Sequence, residues 1–332
     1  MNFDYNEEQQ LLADSVRRFL AKSYDFEVRK KIISGEGWSP QVWATFAEMG
    51  LTGLPLPAEY GGFGGGAIDL MGVMEAFGEA LVVEPYLPTV MAARLVARGG
   101  SEAQKQAILP AVAEGRLKLA VAQDDTGRAV LGAPVADKVV VTKAGGLFLV
   151  DAGKVSMKPF RTLDNMLAAD VAFAGAPAEP LGGGRQAFDE VVDFATALVC
   201  AEAVGAMKFA CDTTLEYLKT RKQFGVPIGT FQALQHRIVE MVISYEQAKS
   251  MACLACSKID SSEDPLDRAR SVSMAKIKIA DSARHISQEA VQLHGGMGMS
   301  EELKVSHAFR RLTVLAAQFG DADHHLARFA SL

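Results

Sequence analysis

A long helical pattern after residue 185 constrains the fold of this chain more than any other feature. Apolar residues recur at three- and four-residue spacing from Phe188 to Leu218, which traces one face of a single helix. At ~1.5 Å per residue, a helix of about thirty residues is about 45 Å long. Similar patterns cover 230–259, 265–294 and 301–332. Four long amphipathic segments with brief connections predict an antiparallel four-helix bundle.

Two further segments precede the bundle. Helical spacing dominates residues 1–115, where Ser39 before Pro40 marks a helix start, because that proline needs no N–H in the first turn. Short valine-rich runs separated by turn residues fill residues 116–184 and are typical of β-strands. The sequence therefore predicts a mainly α protein: an N-terminal helical domain (1–115), a shortened β domain (116–184) and a C-terminal bundle (185–332).

Composition excludes several classes of protein. The chain has 332 residues, 49% of them hydrophobic, and a formal net charge of −6. It can bury a large core, and it lacks the basic surface that nucleic-acid binding requires. The first ten residues are polar and acidic, unlike a signal peptide, and no later apolar run is expected to span a bilayer. We expect a soluble cytoplasmic protein without membrane insertion.

Two motifs predict no chemistry. Cys253 and Cys256 form a C-x-x-C without a second ligand pair at zinc spacing, so we interpret them as helix core positions and expect no metal. The glycine-rich stretch 61–67 contains G-x-G-x-x-A, but Pro55 and Pro57 precede it where a dinucleotide site needs an inner strand. We therefore do not assign a phosphate loop there.

Residues 220–235 (TRKQFGVPIGTFQALQ) contain the first candidate binding site. Gly225 and Pro227 end the first long helix directly after its cationic end. A cationic helix end is also explained by the helix dipole, so the spacing alone leaves both interpretations open. The guanidinium of Arg221 beside the ring of Phe224 and the amides of Gln223 and Gln232 suits a diphosphate joined to an adenine.

A second candidate site is QLHGGMGM, residues 292–299. Three glycines within four positions exceed what a helix C-cap requires, and they would let the backbone approach a ligand closely. His294 is predicted to have a structural role. The sequence thus favours two ligand-binding segments, one after the first bundle helix and one after the third.

Five motifs in a fixed order resemble those of acyl-CoA dehydrogenases: EEQQLLADSVRRFL, PAEYGG, QKQAILPAVAEG, RKQFGVPIGTFQ and QLHGGMG. The resemblance covers nearly the whole chain. It implies the same order of helical, β and helical domains, noncovalent FAD, and α,β-desaturation of an acyl-CoA substrate with an electron-transfer flavoprotein as acceptor. It also implies that a set of residues contacts the adenosine diphosphate part of FAD across a dimer interface: Arg221, Gln223, Phe224, Gln232, Gln292, Gly295 and Gly296.

The resemblance fails at the catalytic base. In this family a carboxylate removes the α-proton of the thioester. The string that matches its usual position is Gln318-Phe319-Gly320-Asp321, with Phe319 at the base position. The family's other base position falls near Ala195. We assign no catalytic residue, and Asp321 and Asp193 stay open as substitutes.

The β domain also departs from the family. Residues 122–125 (AQDD) replace the usual flavin-binding string, and no tryptophan follows Trp43. These departures resemble the small, base-lacking subunit of heteromeric acyl-CoA dehydrogenases, such as those of pimeloyl-CoA or steroid CoA-ester degradation, which form heterotetramers with a larger homologue. One alternative is a complete homo-oligomeric enzyme that uses Asp321 or Asp193. Another is a flavin-free helical assembly or binding subunit.

Overall fold

The computed structural model describes residues 5–332. Contacts between residues divide the chain into two compact units. The first unit contains the N-terminal residues through Val28, Ala67–Val82 and Thr196–Leu332. The second contains Arg29–Gly66 and Val83–Ala195. The predicted domain boundaries at residues 115 and 185 stay a prediction.

Helices dominate both ends of the described chain. The N-terminal helices are α1 Glu7–Ser23, α2 Phe26–Ser34, α3 Pro40–Glu48, α4 Ala67–Ala80, α5 Tyr86–Gly99 and α6 Glu102–Ala113. The C-terminal helices are α7 Gly184–Thr220, α8 Gln232–Ser261, α9 Pro265–His294, α10 Lys304–Ala317 and α11 Ala322–Ser331. The strands are β1 Leu119–Ala122, β2 Val130–Leu131, β3 Lys138–Lys143, β4 Gly146–Asp151, β5 Ser156–Arg161, β6 Leu167–Ala172, β7 Ala178–Leu181, β8 Lys222–Gln223 and β9 Val226–Pro227. The mainly α fold class with a small β portion is confirmed.

Local sequence explains where several helices begin. Ser39 caps α3, and Pro40 occupies its first position, as the sequence predicts. Ser101 accepts a hydrogen bond from the backbone N–H of Gln104, while the Gln104 side chain accepts one from the N–H of Ser101. This reciprocal capping box satisfies two N–H groups that the first turn of α6 leaves unpaired.

The β portion of the second unit consists of two small sheets. One has the strand order β1-β3-β4-β7, with β1 parallel to β3 and the other pairs antiparallel. The other is antiparallel with the order β2-β6-β5. Their core consists mostly of valine and alanine: Ala120, Ala122, Val130, Ala133, Val139, Val141, Val150, Ala169 and Val171. Small and β-branched side chains suit a thin, closely packed core.

The prediction of a single helix over residues 301–332 is wrong. It forms α10 and α11, separated by the residues 318–321. Helix α10 ends because Gln318 is extended, and Phe319 and Gly320 then have positive φ, +59° and +107°. The side chain of Asp321 then accepts a hydrogen bond from the N–H of His324 and begins a new helix.

Helix α7 corrects a second expectation. It contains an 18-residue window with mean hydropathy 1.5, so by length and composition it could cross a membrane. The sequence predicted no such run. Of that window, 89% is buried inside the protein, and core helices of globular proteins pass the same test.

Helices α4 and α7 approach each other closely through two glycines of the first unit. A Cβ on Gly78 would overlap the carbonyl oxygen of Glu202, and a Cβ on Gly205 would overlap that of Glu75. The side chain of Glu202 is buried and binds Arg311 of α10, with Nε to Oε1 at 2.7 Å. The glycines therefore set the spacing of α4 and α7, and the ion pair adds α10 to the same core.

We predict that Gly205→Ala destabilises the protein, although alanine in a helix interior ordinarily stabilises by about 1 kcal/mol relative to glycine. The added methyl group collides with backbone, which cannot rotate away, so the expected loss in the free energy of unfolding is about 2 kcal/mol. Denaturant unfolding measures it. Gly153→Ala, where a Cβ meets nothing within 4 Å, is the control and should change little. A stabilised Gly205→Ala variant would contradict this account of α4–α7 packing.

Candidate functional site

The first strip, defined as Arg221, Gln223, Phe224 and Gln232, lies between α7 and α8. Strands β8 and β9 form a hairpin there, and its two-residue turn is Phe224-Gly225, with φ of +54° and +82°. Two positive φ values in a two-residue loop fit the twist of a hairpin, but asparagine and glycine are the usual residues. A phenylalanine at the tip of such a turn is therefore exceptional.

The second strip, defined as Gln292, Gly295 and Gly296, lies at the end of α9. An aromatic contact joins the two strips, because the rings of Tyr217 and His294 stack with centroids 4.4 Å apart. Tyr217 lies one turn before the first strip, and His294 lies inside the second. The structure thus brings together the two segments that the sequence predicted separately, at one end of the bundle helices α7, α8 and α9.

The polar side chains of both strips are exposed. Arg221, Gln232 and Gln292 make no side-chain hydrogen bond or ion pair with any other residue between positions 5 and 332. The amide of Gln223 donates only to the carbonyl oxygen of Lys222, at 2.8 Å. The guanidinium of Arg221 and the two amides without internal partners, those of Gln232 and Gln292, can all donate to an anionic ligand.

The aromatic ring of the first strip is also exposed. Phe224 is 91% exposed and meets the ring of Phe231 edge-on, with centroids 6.1 Å apart. Phe231 and the neighbouring Val226 are each 39% exposed. An apolar cluster beside unpaired donors is typical of a surface that a ligand or partner covers.

The backbone conformation requires glycine at only one of the two glycine positions in the second strip. Gly295 has φ +62° and ψ −147°, a region that is essentially restricted to glycine. Gly296 needs no positive φ, and a Cβ built there meets nothing within 4 Å. The chain itself does not require glycine at position 296, so the bare backbone suits close approach by a ligand from outside. The donor set and this open backbone fit the diphosphate and adenine of FAD.

The predicted base positions carry no carboxylate. Phe319, in the turn between α10 and α11, presents a phenyl ring, and Ala195 is buried in α7. Asp321 uses a carboxylate oxygen to cap α11, at 2.9 Å from the N–H of His324, and this hydrogen bond holds its pKa below the usual value. Asp193 is buried in α7, with 2% of its surface exposed. A capping carboxylate with a lowered pKa is a weak proton acceptor.

Two buried ionisable groups lie beneath the turn between α10 and α11, and sequence reasoning missed both. Lys276 donates to the carbonyl oxygens of Leu315 and Ala316, at 2.6 and 2.8 Å, and burial lowers its pKa to about 8. His325 lies with Nε2 3.1 Å from the carbonyl oxygen of Phe319, and burial lowers its pKa to about 4. Lys276 satisfies carbonyl groups that the end of α10 leaves unpaired. No sequence signal separates it from its neighbour Lys278.

Asp124, from the string that departs from the family, and Trp43 of α3 both have structural roles in the second unit. Asp124 accepts a hydrogen bond from the N–H of Thr126 at 2.9 Å, which forms a local turn. The indole N–H of buried Trp43 donates to the carbonyl oxygen of Gly115 at 2.8 Å. These contacts stabilise loops within the second unit.

Two cavities of the first unit, of about 700 and 400 Å³, contain none of the predicted cofactor residues. Both are lined by Arg17, Glu79 and Lys208. These charges are paired, because Arg17 contacts Glu79 and the buried Glu75, and Lys208 pairs with Asp212. Among residues 5–332, no cluster of histidine, cysteine, aspartate or glutamate could hold a metal ion.

We predict that alanine destabilises the protein at Gly295 and has little effect at Gly296. Gly295→Ala forces a side chain into a glycine-only conformation and should cost about 1–3 kcal/mol. Gly296→Ala should stay within about 0.5 kcal/mol of wild type, since its Cβ meets open space. Denaturant unfolding of both variants checks this difference. Equal losses would show that Gly296 is also required by the fold.

Protonation of His325 should destabilise the protein. Its pKa is about 4 in the folded protein and near 6.5 when unfolded, so the unfolded chain binds more protons between these values. Stability is complete above pH 6.5 and falls with decreasing pH, by on the order of 2–3 kcal/mol near pH 4. His325→Gln should flatten the fall between about pH 6.5 and pH 5, where carboxylates contribute little. An unchanged slope would contradict a buried neutral imidazole.

Comparisons with known proteins identify the family of the chain. The family model described as "Acyl-CoA dehydrogenase, N-terminal domain" matches residues 6–116, and the one described as "Acyl-CoA dehydrogenase, C-terminal domain" matches residues 182–331. The chain is 30% identical to acyl-CoA dehydrogenase IpdE2 of Mycolicibacterium smegmatis over 327 residues, which covers 97% of this chain and 98% of that protein.

Solved structures share the fold along the whole chain. The ChsE4–ChsE5 complex from Mycobacterium tuberculosis has a chain with a TM-score of 0.91 at 25% identity, covering 100% of this chain and 98% of that one. PigA, solved with FAD and proline, has a TM-score of 0.89 at 23% identity, covering 100% of this chain and 98% of that one. With both of its terminal segments matched and a full-length relative at 30% identity, the chain belongs to the acyl-CoA dehydrogenase family.

Proposed function

We propose that this chain is an FAD-dependent acyl-CoA dehydrogenase subunit that acts with a larger, base-bearing homologue. The complex desaturates an acyl-CoA thioester between Cα and Cβ, in fatty acid or steroid CoA-ester degradation. Electrons pass on to an electron-transfer flavoprotein, and the complex works in the cytoplasm.

The observation that carries this proposal is the turn between α10 and α11. The α-proton of a thioester is weakly acidic, so its removal needs a positioned, desolvated carboxylate. Phe319 offers a ring instead, and the oxygen of Asp321 already binds the N–H of His324. Asp193, the other open candidate, is buried in α7. We therefore infer that the proton acceptor comes from another chain.

The cofactor of this family is FAD, which when bound accepts the hydride that leaves Cβ. In this chain the guanidinium of Arg221 would bind the diphosphate, because a planar fork matches phosphate oxygens. Phe224 would cover the adenine, and the backbone at Gly295 and Gly296 would approach the ligand without interference from side chains. These residues hold half of a shared cofactor site, and the partner chain supplies the proton acceptor.

An exposed apolar stripe on α8 supports a partner chain. Val239, Val242 and Ile243 are 54%, 41% and 53% exposed, and they follow Gln232 of the first strip along α8. β-Branched residues at such exposure on a long helix are typical of a surface buried in an assembly. The relative ChsE4–ChsE5, solved as a complex of two differently named chains, supports a heteromer over a homo-oligomer.

Separate and joint purification tests the proposal. Co-expression with a base-bearing homologue should give a yellow complex whose flavin absorption bleaches when acyl-CoA is added without oxygen. The lone chain should retain little FAD and should not bleach. A lone chain that carries a full complement of FAD and is reduced by acyl-CoA would contradict the proposal.

Asparagine variants of Asp321 and Asp193 distinguish the homo-oligomeric alternative from the proposed heteromer. Asp321→Asn keeps an oxygen to cap α11 but removes the carboxylate, so the complex should keep its turnover within about twofold. Asp193→Asn, checked for folding by its unfolding midpoint, should do the same. A turnover lost by a hundredfold or more in a folded variant would assign the base to this chain.

A further inference from the structure

We propose that the stacked pair Tyr217–His294 is a positioning device that holds the two strips at a fixed spacing as one diphosphate-binding surface. The inference rests on the proposed function, in which both strips contact the same FAD. It assigns to Tyr217 a role that no sequence motif indicates. It also gives His294 a task beyond filling the core.

The geometry of the pair fixes both rings. Their centroids are 4.4 Å apart with an interplanar angle of 28°, and the Tyr217 hydroxyl donates to the carbonyl oxygen of His294 at 3.4 Å. His294 is 3% exposed, and its Nδ1 lies 2.8 Å from the carbonyl oxygen of Ala290 on the previous turn. The imidazole is thereby locked to α9 and the phenol to the imidazole.

Each ring is connected to its strip through the backbone. The carbonyl oxygen of Tyr217 accepts from the N–H of Arg221 at 2.8 Å, and the carbonyl oxygen of Arg221 accepts from the N–H of Ile228 at 2.8 Å. The hairpin that contains Phe224 is thus connected to Tyr217 by two backbone hydrogen bonds that share Arg221. On the other side, His294 directly precedes Gly295, whose conformation only glycine adopts. A shift between the rings therefore becomes a shift between the strips.

An ion pair supports the same end of the bundle. Arg237 of α8 donates to both carboxylate oxygens of Glu289 on α9, at 2.6 and 2.9 Å. These residues lie about one turn from Gln232 and Gln292. At the opposite end of the same two helices, Lys258 donates to Asp267 at 2.7 Å. The two ends of the α8–α9 pair can therefore be loosened separately.

Fixed spacing matters for a diphosphate. Charge-assisted hydrogen bonds depend strongly on geometry, so a guanidinium on one strip and backbone N–H groups on the other act together only at one separation. Donors already in place also avoid the loss of conformational freedom that ordering them would require. Removal of the stack should therefore weaken FAD binding more than it weakens the fold.

The experiment compares Tyr217→Phe with Tyr217→Leu in the complex with the base-bearing partner. Tyr217→Phe keeps the stack and should bind FAD within about twofold of wild type. Tyr217→Leu removes it and should weaken FAD binding about tenfold, with turnover at saturating FAD unchanged within twofold. Flavin fluorescence measures the dissociation constant. His294→Gln, which keeps a donor toward Ala290 without a ring, should match Tyr217→Leu and serves if that variant does not fold.

Asp267→Asn is the matched control, because it loosens the far end of α8 and α9. It should lower the unfolding midpoint without changing the FAD dissociation constant. Equal FAD affinity in Tyr217→Leu and wild type, equal losses in Tyr217→Phe and Tyr217→Leu, or an equal loss in Asp267→Asn would each overturn the inference. A wild-type complex that binds no FAD would instead refute the proposed function.

Discussion

The close approach of α4 and α7 is the constraint on which the first unit depends. Gly78 and Gly205 lie where any side chain would strike the facing backbone, so the spacing of these two helices is fixed by sterics. Glu202, on the same face of α7, then binds Arg311 of α10 in a buried ion pair. This core fixes α10, and the end of α10 fixes the turn that contains Phe319. The position without a carboxylate is thus set by the packing of the bundle.

Several helix starts and the helical bundle could be predicted from local sequence signals. Ser39, Ser101 and their partners begin helices because a cap and an N3 side chain satisfy neighbouring N–H groups, and the helical spacing after residue 185 identifies the bundle. Tertiary effects could not be predicted. The turn at Phe319 places a phenylalanine in the left-handed region, which its backbone preference disfavours. The sequence does not distinguish Lys276 from other helical lysines, and only the tertiary structure shows its ammonium against the carbonyl groups at the end of α10.

At the candidate site, too, local signals could be predicted from the sequence and tertiary contacts could not. The motifs indicated which residues could bind a diphosphate, because arginine, amides and glycines have recognisable chemistry. They did not indicate that Tyr217 and His294 join the two strips, since a ring contact across 77 residues leaves no periodic signal. Exposed binding groups lie at one end of the bundle, and the carboxylate of Asp321 caps α11 in the turn after α10. Both observations support the proposal of a subunit that holds cofactor but lacks a base.

Exchange of the substrate's α-hydrogens with solvent tests the missing proton acceptor most directly, because it reports deprotonation without requiring oxidation. Acyl-CoA incubated in D2O with excess FAD is analysed by mass spectrometry for deuterium at Cα. The account predicts no exchange above buffer background with this chain alone and clear exchange with the two-subunit complex. Exchange by the lone chain at the rate of the complex, abolished by Asp321→Asn or Asp193→Asn, would contradict it.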